Sequence, residues 1–219
     1  MSPVDVLVET GARRAFAVAL DWPGWSRAGR DEDSALDALF AAGPRYAGVL
    51  RGTRLGFSAP HRRSDLRVVE RARGDATTDF GAPGAQAAAD RRPLDEADAR
   101  RQLAILRASW RTFDRVARRA EGVELRRGPR GGGRNLGAIV AHVSDADAAY
   151  LAQVATKPPK GASLEQTRTT IADVLTAAAD GTLPTARPRG GAVWPPRYFL
   201  RRVAWHVLDH AWEIDDRID

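Results

Sequence analysis

From Pro93 to its last residue the chain keeps one apolar period, that of the α-helix, and interrupts it only at stretches bearing glycine and proline. Four segments emerge. "LDEADARRQLAILRASWRTFDRVARRAEG" sets Leu103, Leu106, Trp110, Phe113 and Val116 on one face and stops at Gly122. "GPRGGGR" then breaks the pattern. "NLGAIVAHVSDADAAYLAQVA" follows, with Asn135 placed to cap it. "SLEQTRTTIADVLTAAADG" opens on Ser163, a good cap, and ends at Gly181. The loop "PTARPRGGAVWPP" closes on prolines that suit a helix start, and the last helix runs from Arg197 to about Arg217. Residues 94–219 therefore predict a four-helix bundle.

The first 73 residues read differently. "VDVLVET" and "RRAFAVAL" are Val-rich and alternate loosely, with a "GA" turn signal between them. "DWPGW" is a turn built on Pro23 and Gly24. In "DEDSALDALFAAGPRYAGVL", Ala35, Leu36, Leu39 and Phe40 fall at helical spacing, behind acidic residues that favour a helix N-terminus. Gly43 and Pro44 weaken or end that helix. "SDLRVVERA" is a further strand. The expected fold class is α+β: a small α+β unit over 1–73, a linker over 74–93 ("GDATTDFGAPGAQAAADRRP"), and the bundle over 94–219. A chain that is 43% hydrophobic can fill the cores of both.

Composition narrows the chemistry. There is no cysteine, which excludes disulfides, thiolate metal ligands and a cysteine nucleophile from this chain. Any thiol chemistry must use a sulfur supplied on a co-substrate. The net charge is +6 and almost all of it is arginine, since the only lysines are Lys157 and Lys160. The arginines are scattered through "ARR", "HRR", "DRR" and "RRGPRGGGR" and form no single stripe. A small-molecule substrate is thus favoured over nucleic acid as the partner. With no cationic leader, no secretory signal and no apolar run of membrane-spanning length, the protein is expected to be soluble and cytoplasmic, with no membrane partner.

Three of the four histidines carry the functional reading. His206 and His210 are four apart in "YFLRRVAWHVLDHAWEIDDRID", so they share a helix face with Phe199, Val203 and Ile214. His142 stands in "IVAHVSDADAAYL", at helical spacing from Ile139, Ala146 and Tyr150. His61, in "APHRRSD", looks like an ordinary surface residue. Imidazoles on converging inward faces of a bundle are a recognised way to hold a divalent ion, and three protein ligands leave a position open for water or substrate. Asp145, Asp209, Glu213 and Asp216 are nearby candidates to orient the imidazoles, and Glu213 is a candidate fourth ligand. Trp205 and Trp212, seven apart, read as packing.

One histidine in the second helix ("GAIVAHVSDADAAYL") and an HxxxH in the last ("AWHVLDHAWEIDDR") resembles the DinB-like superfamily, over about Pro93 to the C-terminus. The resemblance implies an up-up-down-down four-helix bundle and a divalent metal, zinc or nickel, on His142, His206 and His210. It further implies activation of a low-molecular-weight thiol for transfer or isomerisation. "RRAFAVALDWPGWSRAGRDEDSALDAL" is similar to the HicB-like pattern, in which a strand runs into a D-x-P-G turn, a short strand and a helix opening with acidic residues; Trp25 stands where that pattern has a small residue.

Three readings follow. The first is a metal-dependent enzyme, a thiol S-transferase or isomerase, with arginines of "RRGPRGGGR" or Arg201 and Arg202 holding an anionic cofactor or substrate. The second is a non-catalytic binding or regulatory module with a structural metal and an N-terminal unit that binds protein or RNA. The third has the histidines packed without metal and a homodimer formed through exposed apolar helix faces.

Overall fold

The computed structural model describes residues 3–127, 133–188 and 190–218. The class is α+β: a four-stranded sheet precedes a mostly helical remainder. Contacts divide the chain into two compact units, Met1–Arg92 and Pro93–Asp219. Among the described residues no helix is long and apolar enough to cross a membrane.

In the first unit, β1 (Val4–Thr10), β2 (Ala15–Ala19), β3 (Ser26–Gly29) and β4 (Leu66–Arg73) form a sheet in the order β3-β2-β1-β4. β1 and β2 pair antiparallel across the turn at 11–14, β2 and β3 pair antiparallel, and β4 returns parallel to β1. The helices α1 (Glu32–Ala41) and α2 (Gly43–Val49) lie in the crossover between β3 and β4. α1 starts on an Asp31–Ser34 capping box, and Pro44 takes the first turn of α2, where its missing N–H leaves no donor unused.

The bulky residue at position 25 has a structural reason. The turn before it closes with Trp25 N–H donating to Trp22 O at 3.0 Å, and Gly24 supplies the required positive φ of 92°. Trp25 is then driven inward, where it is fully buried. Its indole donates to Leu39 O at 2.9 Å and stacks on Tyr46 with 5.6 Å between rings, while the Tyr46 hydroxyl donates back to Pro23 O at 2.8 Å. An aromatic of this size ties α1, α2 and the turn into one core.

Residues 74–92, expected as part of a linker over 74–93, belong to the first unit and are sewn to its sheet. They carry α3 (Ala76–Phe80) and a short 3-10 turn at Ala88–Arg91. Glu9 of β1 is fully buried, and its carboxylate accepts from the Thr78 hydroxyl, Gly84 N–H (2.9 Å) and Ala85 N–H (2.8 Å). Asp79 accepts from Arg13 N–H at 2.7 Å, and Glu70 from Ala88 N–H at 2.9 Å. A buried charge is tolerable only when so saturated with donors, and each such bond contributes roughly 1.5–3 kcal/mol.

The second unit is built on α4 (Glu96–Arg119), α5 (Leu136–Gln153), α6 (Leu164–Ala179) and α7 (Pro196–Ile218). Asn135 caps α5 through Ala138 N–H, and Ser163 forms a capping box with Gln166 at α6. The four helices share a core that includes Leu106, Phe113, Ile139, Val143, Ile171, Leu175, Phe199, Val203 and Ile214. α4 packs on α7 and α6, and α5 packs on the same two.

Ion pairs reveal the direction of the helices. Arg197 and Asp98 join the starts of α7 and α4, while Arg119 and Asp215 join their ends at 2.9 Å. These two helices are therefore parallel. α5 runs against α7, since His142 meets His206 and His210 whereas Tyr150 meets Arg202 and Gln153 O accepts from Trp194 N–H. The up-up-down-down course is thus corrected: the first two helices of the unit are antiparallel. Polar pairs spaced along helix surfaces decide this, and an apolar period carries no sense of direction.

Candidate metal centre

Helix packing brings together the three histidines singled out above. α7 presents His206 and His210 one turn apart, both buried, and α5 presents His142, half-buried. His206 Nε2 lies 3.2 Å from His142 Nε2 and 3.2 Å from His210 Nε2. The candidate ligand atoms all fall within 4.8 Å of one another. Bonds of roughly 2.0 Å to a tetrahedral ion put ligand nitrogens about 3.3 Å apart, so the observed spacing fits a divalent ion.

Protonation supports the same fit. His210 Nδ1 donates to Glu213 Oε2 at 2.7 Å. A carboxylate only accepts, so a proton sits on Nδ1, and Nε2 is the atom turned towards His206. Burial pushes His206 down to about 2, with the neighbouring imidazoles and the Arg202 and Arg134 guanidinium groups acting in the same direction. His142 is also lowered, by burial first and then by His210 and Arg134. A metal binds imidazoles in their neutral form, and burial favours that form at His206 and His142. His206 Nδ1 is buried with no hydrogen-bond partner among the described residues.

Glu213 is held at both oxygens. Oε2 takes the His210 proton, and Oε1 accepts from Arg217 Nη1 at 2.9 Å. The His210 bond holds its carboxyl below the usual range, with Arg217 adding to this. Arg217 is itself buried, and its remaining donors go to the carbonyl oxygens of Arg126 and Arg134. The backbone of Arg126 in turn donates to Arg217 O at 3.0 Å. A chain of charged hydrogen bonds thus runs from His210 through two residues of its own helix to the connection between α4 and α5.

On the other flank, Arg202 stands one turn before His206. Its guanidinium lies over the rings of Tyr150 (5.3 Å) and Trp205 (5.2 Å) and donates to the Tyr150 hydroxyl at 3.2 Å. Tyr150 and Trp205 each pack against His206, with ring centroids 5.8 and 6.0 Å away. Burial raises the Tyr150 hydroxyl, and Arg202 opposes that rise. A second cation and a phenol therefore border the imidazoles.

The remaining sequence candidates separate. Asp145 is exposed, and its charge raises His142 against the burial effect. Asp216 is exposed, and its carbonyl accepts from Arg126 Nη2 at 2.9 Å. Asp209 is half-buried and Trp212 is buried. Arg201 is buried with its guanidinium 5.6 Å from the Tyr198 ring. His61 is exposed, away from the three histidines in sequence and in unit. Arg130 of "RRGPRGGGR" lies outside the described residues. Sequence reasoning missed Arg217 as a member of the site, although its spacing of four from Glu213 was a readable signal.

No family model matches the chain, and neither a curated protein nor a solved structure matches it.

Proposed function

We propose that residues 93–219 form a four-helix bundle, DinB-like in its histidine pattern though not in an up-up-down-down course, whose three-histidine site binds zinc or nickel and activates a low-molecular-weight thiol for transfer or isomerisation. The observation that carries this reading is the convergence of three imidazoles from two helices, one bearing a single histidine and the other an HxxxH, with His206 Nε2 lying 3.2 Å from the Nε2 of both His142 and His210. His142, His206 and His210 would hold the ion. A divalent metal on three neutral imidazoles keeps a coordination position for an exogenous ligand and lowers the pKa of a thiol or water placed there.

The chain's own residues supply the rest. Glu213 fixes the tautomer and orientation of His210, and Arg217 fixes Glu213. With both oxygens committed in this way, Glu213 supports an open site for a substrate and not a closed four-ligand structural centre. Tyr150 and Trp205 shield His206 from water, and Arg202 and Arg134 add positive potential that favours an anionic ligand such as a thiolate. The absence of cysteine agrees with a thiol delivered on a small co-substrate.

The test measures metal content by mass spectrometry on tag-free protein, wild type against His210→Ala, followed by thiol consumption with electrophilic acceptors. About one zinc or nickel per chain, lost in the variant, together with metal-dependent thiol consumption, is expected. Wild-type protein that takes up no metal after incubation with zinc, nickel or iron overturns the reading.

A further inference from the structure

Tyr150 follows His142 along α5 by two steps of four residues, with the half-buried Ala146 between them on the same side of the helix. Side chains of a helix lean towards its N-terminus, so Tyr150 leans towards His142. Its ring meets the ring of His206 edge-on, with centroids 5.8 Å apart and planes at 88°. His206 in turn places its Nε2 3.2 Å from His142 Nε2. The phenol therefore borders the candidate metal centre without belonging to its histidines, and only a methyl group separates it from His142 along the face.

The Tyr150 hydroxyl is half used. Arg202 Nη2 donates to its oxygen at 3.2 Å, and a guanidinium only donates, so the phenol's own proton is not spent on that bond. Among the described residues no acceptor takes that proton. The buried Arg202 guanidinium also lies 5.3 Å from the Tyr150 ring and 5.2 Å from the Trp205 ring, and Trp205 lies 6.0 Å from His206. These contacts close a circuit from His206 through Tyr150 and Arg202 to Trp205 and back to His206. An unspent O–H donor and a fixed positive charge thus stand 3.2 Å apart beside one imidazole.

That pairing selects a chemistry. A cationic group meets repulsion from Arg202, and an apolar group leaves the phenol proton without an acceptor. An oxyanion accepts the proton's hydrogen bond and gains from the neighbouring charge. We infer that Tyr150 is a specificity-determining residue of the histidine site, donating a hydrogen bond from its hydroxyl to an oxyanion, such as a carboxylate, carried by the small molecule that occupies the open coordination position. The inference rests on the proposed function and narrows its substrate class: the thiol bound there is an acidic one, in preference to a neutral thiol of the same length. Tyr150 has this role through a hydrogen bond and not through loss of its proton.

The experiment loads the full chain with zinc or nickel, whichever it retains, and measures the bound metal by mass spectrometry. Mercaptopropionate and propanethiol are then titrated into the loaded protein by calorimetry. Wild type is expected to bind mercaptopropionate about tenfold or more tightly than propanethiol, as a hydrogen bond to a charged group allows. Tyr150→Phe keeps the ring against His206 and is expected to remove that preference by weakening mercaptopropionate alone, with metal content and propanethiol binding unchanged. A wild type without the preference overturns the inference, whatever the variant does. So does a preference that survives in Tyr150→Phe, or a variant that weakens both thiols alike, which would make the hydroxyl a structural group. Protein that retains neither metal fails the metal reading itself, and the metal content alone reveals that before any thiol is added.

Discussion

His210 reaches its orientation through Glu213 and Arg217, and this predicts how the metal affinity proposed above responds to changes behind His210. Glu213→Gln weakens the bond to Nδ1, and Arg217→Met frees the Glu213 carboxylate to move. Each change should lower metal affinity about 10- to 100-fold, read by competition with a chromophoric chelator, because partners of this kind typically matter to that extent. A variant that binds as tightly as wild type would show that His210 is positioned by packing alone. Asp147 gives a second prediction at this scale. Burial pushes its carboxyl up to about 7, partly opposed by Arg168. The folded chain therefore keeps a proton between about pH 4 and 7 that the unfolded chain, with a carboxyl near 3.9, releases. The stability this contributes is fully present below about pH 4 and is lost as pH rises through 7. His206 works in the opposite sense, since its depressed value makes acid destabilising below about 6.5. The difference between wild type and Asp147→Asn isolates the first effect: urea midpoints should lie close together at pH 4, where both side chains are neutral, and wild type should fall below the variant as pH rises to 7.5.

At the scale of elements, the attachment of residues 74–92 is the feature that local sequence signals missed. "GDATTDFGAPGAQAAADRRP" has the glycine and proline content of a spacer, and nothing within it points to Glu9, some seventy positions earlier. Yet a glutamate next to the end of a Val-rich strand, once buried, demands donors. Glu9→Ala removes three hydrogen bonds to one carboxylate and should cost about 3 kcal/mol or more, with new proteolytic cleavage inside 74–92 as the readout. Cleavage and stability unchanged from wild type would show the segment is held by other means. Gly29 offers a contrasting case. A methyl there would fall on the backbone of Ser34 and Ala35 at the start of α1, which cannot swing aside. Gly29→Ala should cost about 1–3 kcal/mol in chemical denaturation, although the glycine's φ is unexceptional. By contrast, the caps at Asn135 and Ser163 were legible, because a cap is chemistry within three residues.

For the whole molecule, the candidate site lies entirely in Pro93–Asp219, so metal should stabilise the chain by binding only its folded form. At a hundredfold excess over the dissociation constant the gain is about 2.7 kcal/mol. Calorimetry should show a higher melting temperature with zinc or nickel, reversal by chelator, and no increment in His210→Ala. An equal increment in that variant would place the metal elsewhere.

By itself the sequence determined the four long helices, the caps at Asn135 and Ser163, three of the strands, and the shared face of His206 and His210, because each depends on spacing within a few residues. It placed His142 on an inward face without saying what it would meet. Only the tertiary structure decided that α5 runs against α7 and so delivers His142 to the pair, that α4 and α7 lie parallel, and that Arg217 holds the Glu213 carboxylate that orients His210. Those outcomes rest on ion pairs and hydrogen bonds between residues far apart in the chain, and a periodic apolar pattern fixes which face is buried without fixing against what, or in which direction.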